Sequence, residues 1–119
     1  MELQQMLEDV LQMARQEQNR CLEMAIQDME LVRHANMDPL EKAAFEERIQ
    51  LLLLLSLIFH AAIRWKPDTL RGISLLRVAE LHLDVGELPV TLRDELQDAV
   101  LEKIERVLAS ISAFQDQHF

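Results

Sequence analysis

Glycine, proline and aromatic residues are scarce in this sequence. Its 119 residues include 2 glycines, 3 prolines and no tyrosine, and aromatic residues make up 4% of the chain. Strands favour aromatic and β-branched residues, whereas the interior of a helix excludes proline and disfavours glycine. The scarcity of all three therefore argues against a sheet and favours an all-α fold. A chain of this length is expected to form one domain, residues 1–119.

Cysteine and positive charge are also scarce. The single cysteine, Cys21, has no partner for an internal disulfide, which favours a reducing cytoplasm over secretion. Residues 1–20 are polar and acidic, so no signal peptide is expected. The net charge of −9 would repel phosphate groups, whose binding depends on lysine and arginine. Direct binding to DNA or RNA is therefore not expected.

One long apolar run is present over residues 49–63, with only three polar interruptions. Asp38 and Pro39 precede it as a capping residue and a proline suited to the first helical position, and Pro67 disfavours helix beyond it. The pattern predicts a helix over about residues 39–65. Because apolar residues lie on every side of this helix, we expect it to be the buried axis of the domain. The run is shorter than the ~20 residues that cross a bilayer, so no membrane span is expected.

Three further helices are predicted around this central helix. The first covers about residues 2–35 and carries apolar residues at steps of three and four. The next covers about residues 69–85, with Asp68 or Thr69 as its cap and Gly86 as a left-handed terminator. The last covers about residues 92–114, after a capping box at Thr91. The expected fold is an all-α, four-helix bundle-like domain with a long N-terminal helix and a central hydrophobic helix.

The polar residues form no recognisable catalytic or metal-binding constellation. Ser56 and His60 lie one turn apart on the apolar helix, but a serine nucleophile would still need a third group and an oxyanion site. We interpret His60 as a core histidine that forms a hydrogen bond. Glu30 and His34 are interpreted as a surface pair, and Cys21 as a small buried hydrophobe. No enzymatic activity, cofactor or metal is therefore expected.

Surplus apolar surface is the main functional signal. The first helix is longer than a compact domain of this size requires, so its first turns are expected to project as a dimerisation arm. A central helix that is apolar on every side is difficult to cover with three neighbouring helices. We expect the remaining gap to be filled either by the third helix or by a second subunit. A basic, aromatic tip follows the central helix. Partner contacts are predicted for six residues of the first helix and this tip: Leu3, Met6, Val10, Met13, Trp65 and Arg71.

Together these patterns predict a small, acidic, cytoplasmic protein–protein interaction module that forms a homodimer. We expect a regulatory role, for example that of an inhibitor or adaptor (an antiactivator) that sequesters a transcription factor or signalling protein. Two alternatives stay open. One is a secretion or assembly chaperone that holds an export substrate, and the other is a small-molecule-binding or catalytic helical bundle that uses His60.

Overall fold

The computed structural model describes residues 2–84, 86 and 88–117, which form four α-helices. Helix α1 spans Glu2–His34, α2 spans Pro39–Arg64, α3 spans Leu70–Glu80 and α4 spans Val90–Gln115. No strand occurs among the described residues. The predicted all-α class, with a long first helix in a bundle-like arrangement, is confirmed.

Local capping chemistry fixes the starts of α2 and α3. The Asp38 side chain accepts a hydrogen bond from the backbone N–H of Glu41 at 2.9 Å, and Pro39 takes the first helical position. The Thr69 hydroxyl accepts a hydrogen bond from the backbone N–H of Gly72 at 3.0 Å. Each cap gives an acceptor to an amide that has no partner within its helix. The cap predicted at Asp38 is confirmed, and Thr69 is the residue that caps α3.

The end of α3 differs from the prediction. The backbone N–H groups of His82 and Leu83 donate to the carbonyls of Ala79 and Val78, which closes the helix in a Schellman arrangement. His82 takes the left-handed conformation that this closure requires, with a φ of 54°, whereas Gly86 does not have a positive φ. The predicted terminator is therefore wrong, because the helix ends earlier. Val85, the predicted last residue of the helix, lies outside the described residues.

The start of α4 also differs from the prediction. Its N-cap is Pro89, and no side chain forms a capping hydrogen bond there. The capping box proposed at Thr91 is wrong because Thr91 already lies inside the helix. The fixed φ of proline lets the chain enter the helix at Val90 without a polar cap.

Helices α1, α2 and α4 form the body of a rod that measures 64 × 22 × 20 Å. Helices α1 and α2 are an antiparallel hairpin, and α4 packs against both of them. The shorter α3 packs on α4 and the start of α1, and makes no close contact with α2 in the described part of the chain. The third helix therefore does not cover the central one.

The end of α4 divides the rod into two parts. The Phe114 ring lies edge-on to the Phe59 ring, with centroids 5.9 Å apart, and the Arg20 guanidinium lies 5.8 Å from the Phe114 ring. Helix α4 ends one residue later, at Gln115. Beyond Phe59 the start of α2 extends for ~30 Å, at ~1.5 Å per residue, and the end of α1 runs antiparallel beside it. We call this two-helix segment, residues 21–58, the arm.

The prediction that the first turns of α1 project is wrong. Leu7 is 1% exposed and Gln4 is buried, with its side-chain amide donating to the Ala79 carbonyl at 3.4 Å. The start of α1 thus lies against α3 and α4, and the part that projects is the opposite end of the helix, together with the start of α2.

The prediction that residues 49–63 are buried on every side is also wrong. Among the residues of α2, only Leu52, Leu55, Ser56 and Phe59 are buried. These residues face α1 and, at Phe59, α4. The opposite side of α2 is exposed because α3 does not approach it and α4 ends at the level of Phe59.

Candidate interaction surfaces

An apolar surface runs along the outer side of α2. Leu57 is 65% exposed and Leu54 is 54% exposed, and Leu53 and Ile58 complete the patch. We call these four residues the α2 face. Steps of four join Leu53 to Leu57 and Leu54 to Ile58, so the four residues form two adjacent rows on one side of the helix. Large contiguous apolar patches are uncommon on monomers and often mark interaction sites.

Charged side chains of opposite sign flank the α2 face. Glu46 and Glu47 are exposed on the side nearer the link between α1 and α2. Arg64 is exposed at the other end of the helix, where it also borders a groove between α1, α3 and α4. Neither Glu46 nor Arg64 takes part in an ion pair within the described residues. The outer side of α2 is therefore apolar at its middle, acidic at one end and basic at the other.

A second apolar surface lies on the α1 part of the arm. Leu22, Ile26 and Met29 are exposed and follow each other at steps of four and three, so they share one side of the helix. We call these three residues the α1 face. Arg15 and Arg33 are exposed on the same side of α1, one beyond each end of this face. The α1 face thus has positive charge at both ends.

Polar contacts hold the two helices of the arm together. The Nε of Arg48 lies 2.9 Å from a carboxylate oxygen of Asp28, which is only 4% exposed. Near the base of the arm, the side-chain amide of Gln18 donates to the Ser56 carbonyl at 3.1 Å. The sequence pattern did not assign a role to Gln18 or Asp28, although Gln18 is half-buried and Asp28 is buried on the side of α1 that faces α2.

The opposite end of the rod carries a basic groove where α2 ends. This open groove of about 850 Å³ lies between α1, α3 and α4 and the end of α2. Lys103 is buried within it, with its Nζ 3.1 Å from a carboxylate oxygen of Glu80. Positive side chains outnumber negative ones along its walls, and they are Arg15, Arg64, Lys66, Arg77 and Lys103.

The structure does not bring the six predicted partner-binding residues together on one surface. Val10 is buried and Leu3 packs against the core, so the expectation that these two are exposed fails for Val10 and holds only in part for Leu3. Met6 and Met13 are exposed on the part of α1 that lies outside the arm.

Trp65 and Arg71, the two predicted residues that follow α2, have intramolecular partners. Trp65 is half-buried, with the Arg106 guanidinium 4.8 Å from its ring, and the Nε of Arg71 lies 2.7 Å from a carboxylate oxygen of Glu95. Their role in binding a partner stays a prediction.

His60 is exposed, so its interpretation as a core histidine is wrong. Cys21 is fully buried, as predicted, and burial, together with the nearby Glu17 carboxylate, raises the pKa of its thiol to about 11. Glu30 and His34 are exposed on α1. No group of three or more possible metal ligands occurs among the described residues.

Comparison with known proteins gives no match. Neither the models of protein families, nor the curated proteins, nor the solved structures include one that is significantly similar to this chain. Among the described residues, no helix combines the length and the hydropathy that are needed to cross a bilayer.

Proposed function

We propose that this chain is a cytoplasmic protein–protein interaction module that acts as a homodimeric inhibitor or adaptor. It would sequester a transcription factor or signalling protein. The observation that supports this proposal is the apolar surface of the arm, which no described element of the chain covers. Burial of a large apolar side chain that would otherwise be exposed contributes roughly 1.5–3 kcal/mol. Burial of several such side chains would therefore supply enough free energy to hold a partner.

The α1 face is the part of the arm that we assign to the heterologous partner. Leu22, Ile26 and Met29 offer three apolar contacts along one helical row. Arg15 and Arg33 lie beyond the two ends of this row and would favour carboxylates. The segment that fits is an amphipathic helix with apolar residues at matching spacing and acidic residues at its ends.

Affinity capture with a matched pair of variants tests this proposal. The tagged full-length protein is incubated in its native extract, and the proteins retained are identified by mass spectrometry. The Ile26→Asp/Met29→Asp variant is expected to lose the stoichiometric partner, because it replaces two apolar contacts with carboxylates that would have to lose water at the interface and would repel an acidic partner. Both substituted side chains are exposed, so the fold should be retained, and circular dichroism checks this.

The control is the Leu101→Asp/Leu108→Asp variant. These two leucines have an exposure similar to that of Ile26 and Met29, but they lie on α4, outside the arm. The control should capture the same partner as the unmodified protein. If the arm variant also retains the partner, the α1 face is not the binding site and the proposal loses its support.

The chaperone alternative predicts a different outcome of the same capture. A chaperone would retain an export substrate and release it once that substrate has folded, whereas an inhibitor binds its folded target. The captured protein can be purified and added back in its folded state, which distinguishes the two. The bundle that uses His60 is less well supported, because His60 is exposed and does not line the groove at the base.

A further inference from the structure

We infer that the α2 face is covered by a second copy of this chain, packed antiparallel about a two-fold axis that passes between Leu54 and Leu57. The inference rests on the proposed function, because it assigns one surface of the arm to self-association and leaves the α1 face to the partner. A two-fold interface uses the same surface on both subunits, so that surface must be complementary to itself. The α2 face satisfies this requirement in its apolar and charged residues.

The apolar residues are arranged symmetrically about the proposed axis. Leu54 lies on one side of the axis and Leu57 on the other. Leu53 and Ile58 lie just beyond them, on opposite flanks of the helix. Rotation about the axis brings Leu53 and Leu54 of each copy beside Leu57 and Ile58 of the other copy. Leucine and isoleucine side chains of the two copies can then interdigitate, as in other antiparallel helix pairs.

The charges define both the direction and the register of the pairing. Glu46 and Arg64 are 18 residues apart, which is five full turns, so they lie on the same flank of α2. They are ~14 Å and ~13 Å from the midpoint of Leu54 and Leu57, on opposite sides of it. The proposed axis therefore places Glu46 of each copy beside Arg64 of the other. One stripe contains both charges and the residues between them: Glu46, Gln50, Leu53, Leu57, Ala61 and Arg64.

The other arrangements are less favourable on the same physical grounds. A parallel pairing of two α2 faces would bring Glu46 level with Glu46 and Arg64 level with Arg64, so no charge would meet one of opposite sign. The α1 face has the same difficulty in an antiparallel pairing, because Arg15 and Arg33 lie at its two ends and would meet each other. Of the two faces described on the arm, the α2 face is the one that combines an apolar centre with ends of opposite sign.

The charged positions provide a test by charge reversal. The mass of the full-length protein is measured by light scattering and sedimentation over a range of concentrations. The unmodified protein is expected to be a dimer. Glu46→Arg and Arg64→Glu are each expected to weaken the dimer about tenfold or more, because each places two like pairs at the interface. The double variant Glu46→Arg/Arg64→Glu restores the opposite charges and is expected to recover most of the affinity.

Substitution at the centre of the face gives an independent readout. Leu54→Asp/Leu57→Asp is expected to be a folded monomer, since both side chains are exposed within one chain. A monomeric unmodified protein would overturn the inference, as would a dimer that this variant leaves intact. A double charge variant that stays as weak as its parents would overturn the proposed register. A heterologous protein that binds the α2 face of a monomer is also a contrary result.

These outcomes are separate from those of the partner capture. Leu54→Asp/Leu57→Asp should lose the dimer and still retain the partner through the α1 face, whereas Ile26→Asp/Met29→Asp should lose the partner and remain a dimer. Failure of self-association therefore leaves the proposed partner site testable, and failure of partner capture leaves the dimer testable.

Discussion

Asp28 and Arg48 form an ion pair across the interface of α1 and α2, with Oδ2 and Nε 2.9 Å apart, at a level of the arm that α4 does not reach. Counting side-chain atoms alone, Asp28 is 6% exposed and Arg48 is 36% exposed. The two partners therefore differ in how easily each could return to water if the other were removed. This difference has a measurable consequence for the stability of the arm.

Removal of the cation is expected to cost more than removal of the anion. Arg48→Met leaves the buried Asp28 carboxylate without its cation and should lower the free energy of unfolding by about 3 kcal/mol. Asp28→Asn leaves a partly exposed guanidinium that can turn towards water, and should cost about 1 kcal/mol. Urea denaturation of the two variants checks the order. Equal costs, or a larger cost for Asp28→Asn, would show that the carboxylate does not depend on Arg48.

The level at which α4 ends predicts two very different effects on neighbouring positions of α2. Phe59→Ala removes a fully buried ring that packs on Phe114, and should destabilise the fold by about 3–5 kcal/mol. Leu57→Ala changes a side chain that is 65% exposed and should cost less than about 1 kcal/mol in the monomer. Thermal and urea unfolding in the Leu54→Asp background separates this effect from loss of the dimer, because one uncompensated carboxylate in each copy at the centre of the α2 face is also expected to prevent dimerisation. Similar losses at both positions would contradict the described packing of α2.

The buried thiol predicts low reactivity and a loss of stability in alkaline solution. The pKa of Cys21 is raised from 9.0 to about 11 in the folded chain, first by burial and then by the Glu17 carboxylate. The folded protein should therefore react with a thiol reagent at neutral pH only when the arm opens. Because the folded pKa is the higher one, this contribution to stability is present below about pH 9 and is lost as the pH rises towards 11. The Cys21→Ala variant should lose less stability over that interval than the unmodified protein.

Gly72 predicts an unfavourable effect for a substitution that usually stabilises helices. A Cβ at this position would lie 2.7 Å from the Cβ of Pro67 and 2.9 Å from the Thr69 hydroxyl oxygen. That hydroxyl accepts the capping hydrogen bond of α3. Gly72→Ala should therefore lower the free energy of unfolding by about 1–2 kcal/mol, through crowding of the cap. Ser74→Ala, at an exposed position of the same helix, is the control and should have almost no effect.

The helices could be predicted from the sequence because their signals are local. Asp38 and Pro39 define the start of α2, and the pair of long helices with a short link requires a hairpin. Buried positions of α1 follow from its apolar stripe, in which Cys21 and Ala25 are fully buried. Each of these inferences depends on residues a few positions apart.

The interaction surfaces could not be predicted in the same way. A helix that is apolar on every side has no polar face to show which side points outwards, so the exposure of Leu57 and His60 cannot be read from periodicity. Which end of α1 projects depends on where α4 stops relative to Phe59. The level at which α4 stops depends on the alignment of helices that are distant in sequence. The residues around Phe114 do not indicate that its ring packs on Phe59.

The link between α1 and α2 lies at the far end of the arm, well away from α3 and α4. This link is exposed at residues 35 and 36 and at the cap residue Asp38. The adjoining parts of α1 and α2 contribute no residue to the buried hydrophobic core. Exposed connections of this kind accept inserted sequence more readily than the helices they join. A peptide tag or fluorescent reporter placed between Ala35 and Asn36 should therefore leave the four helices intact, which circular dichroism would show.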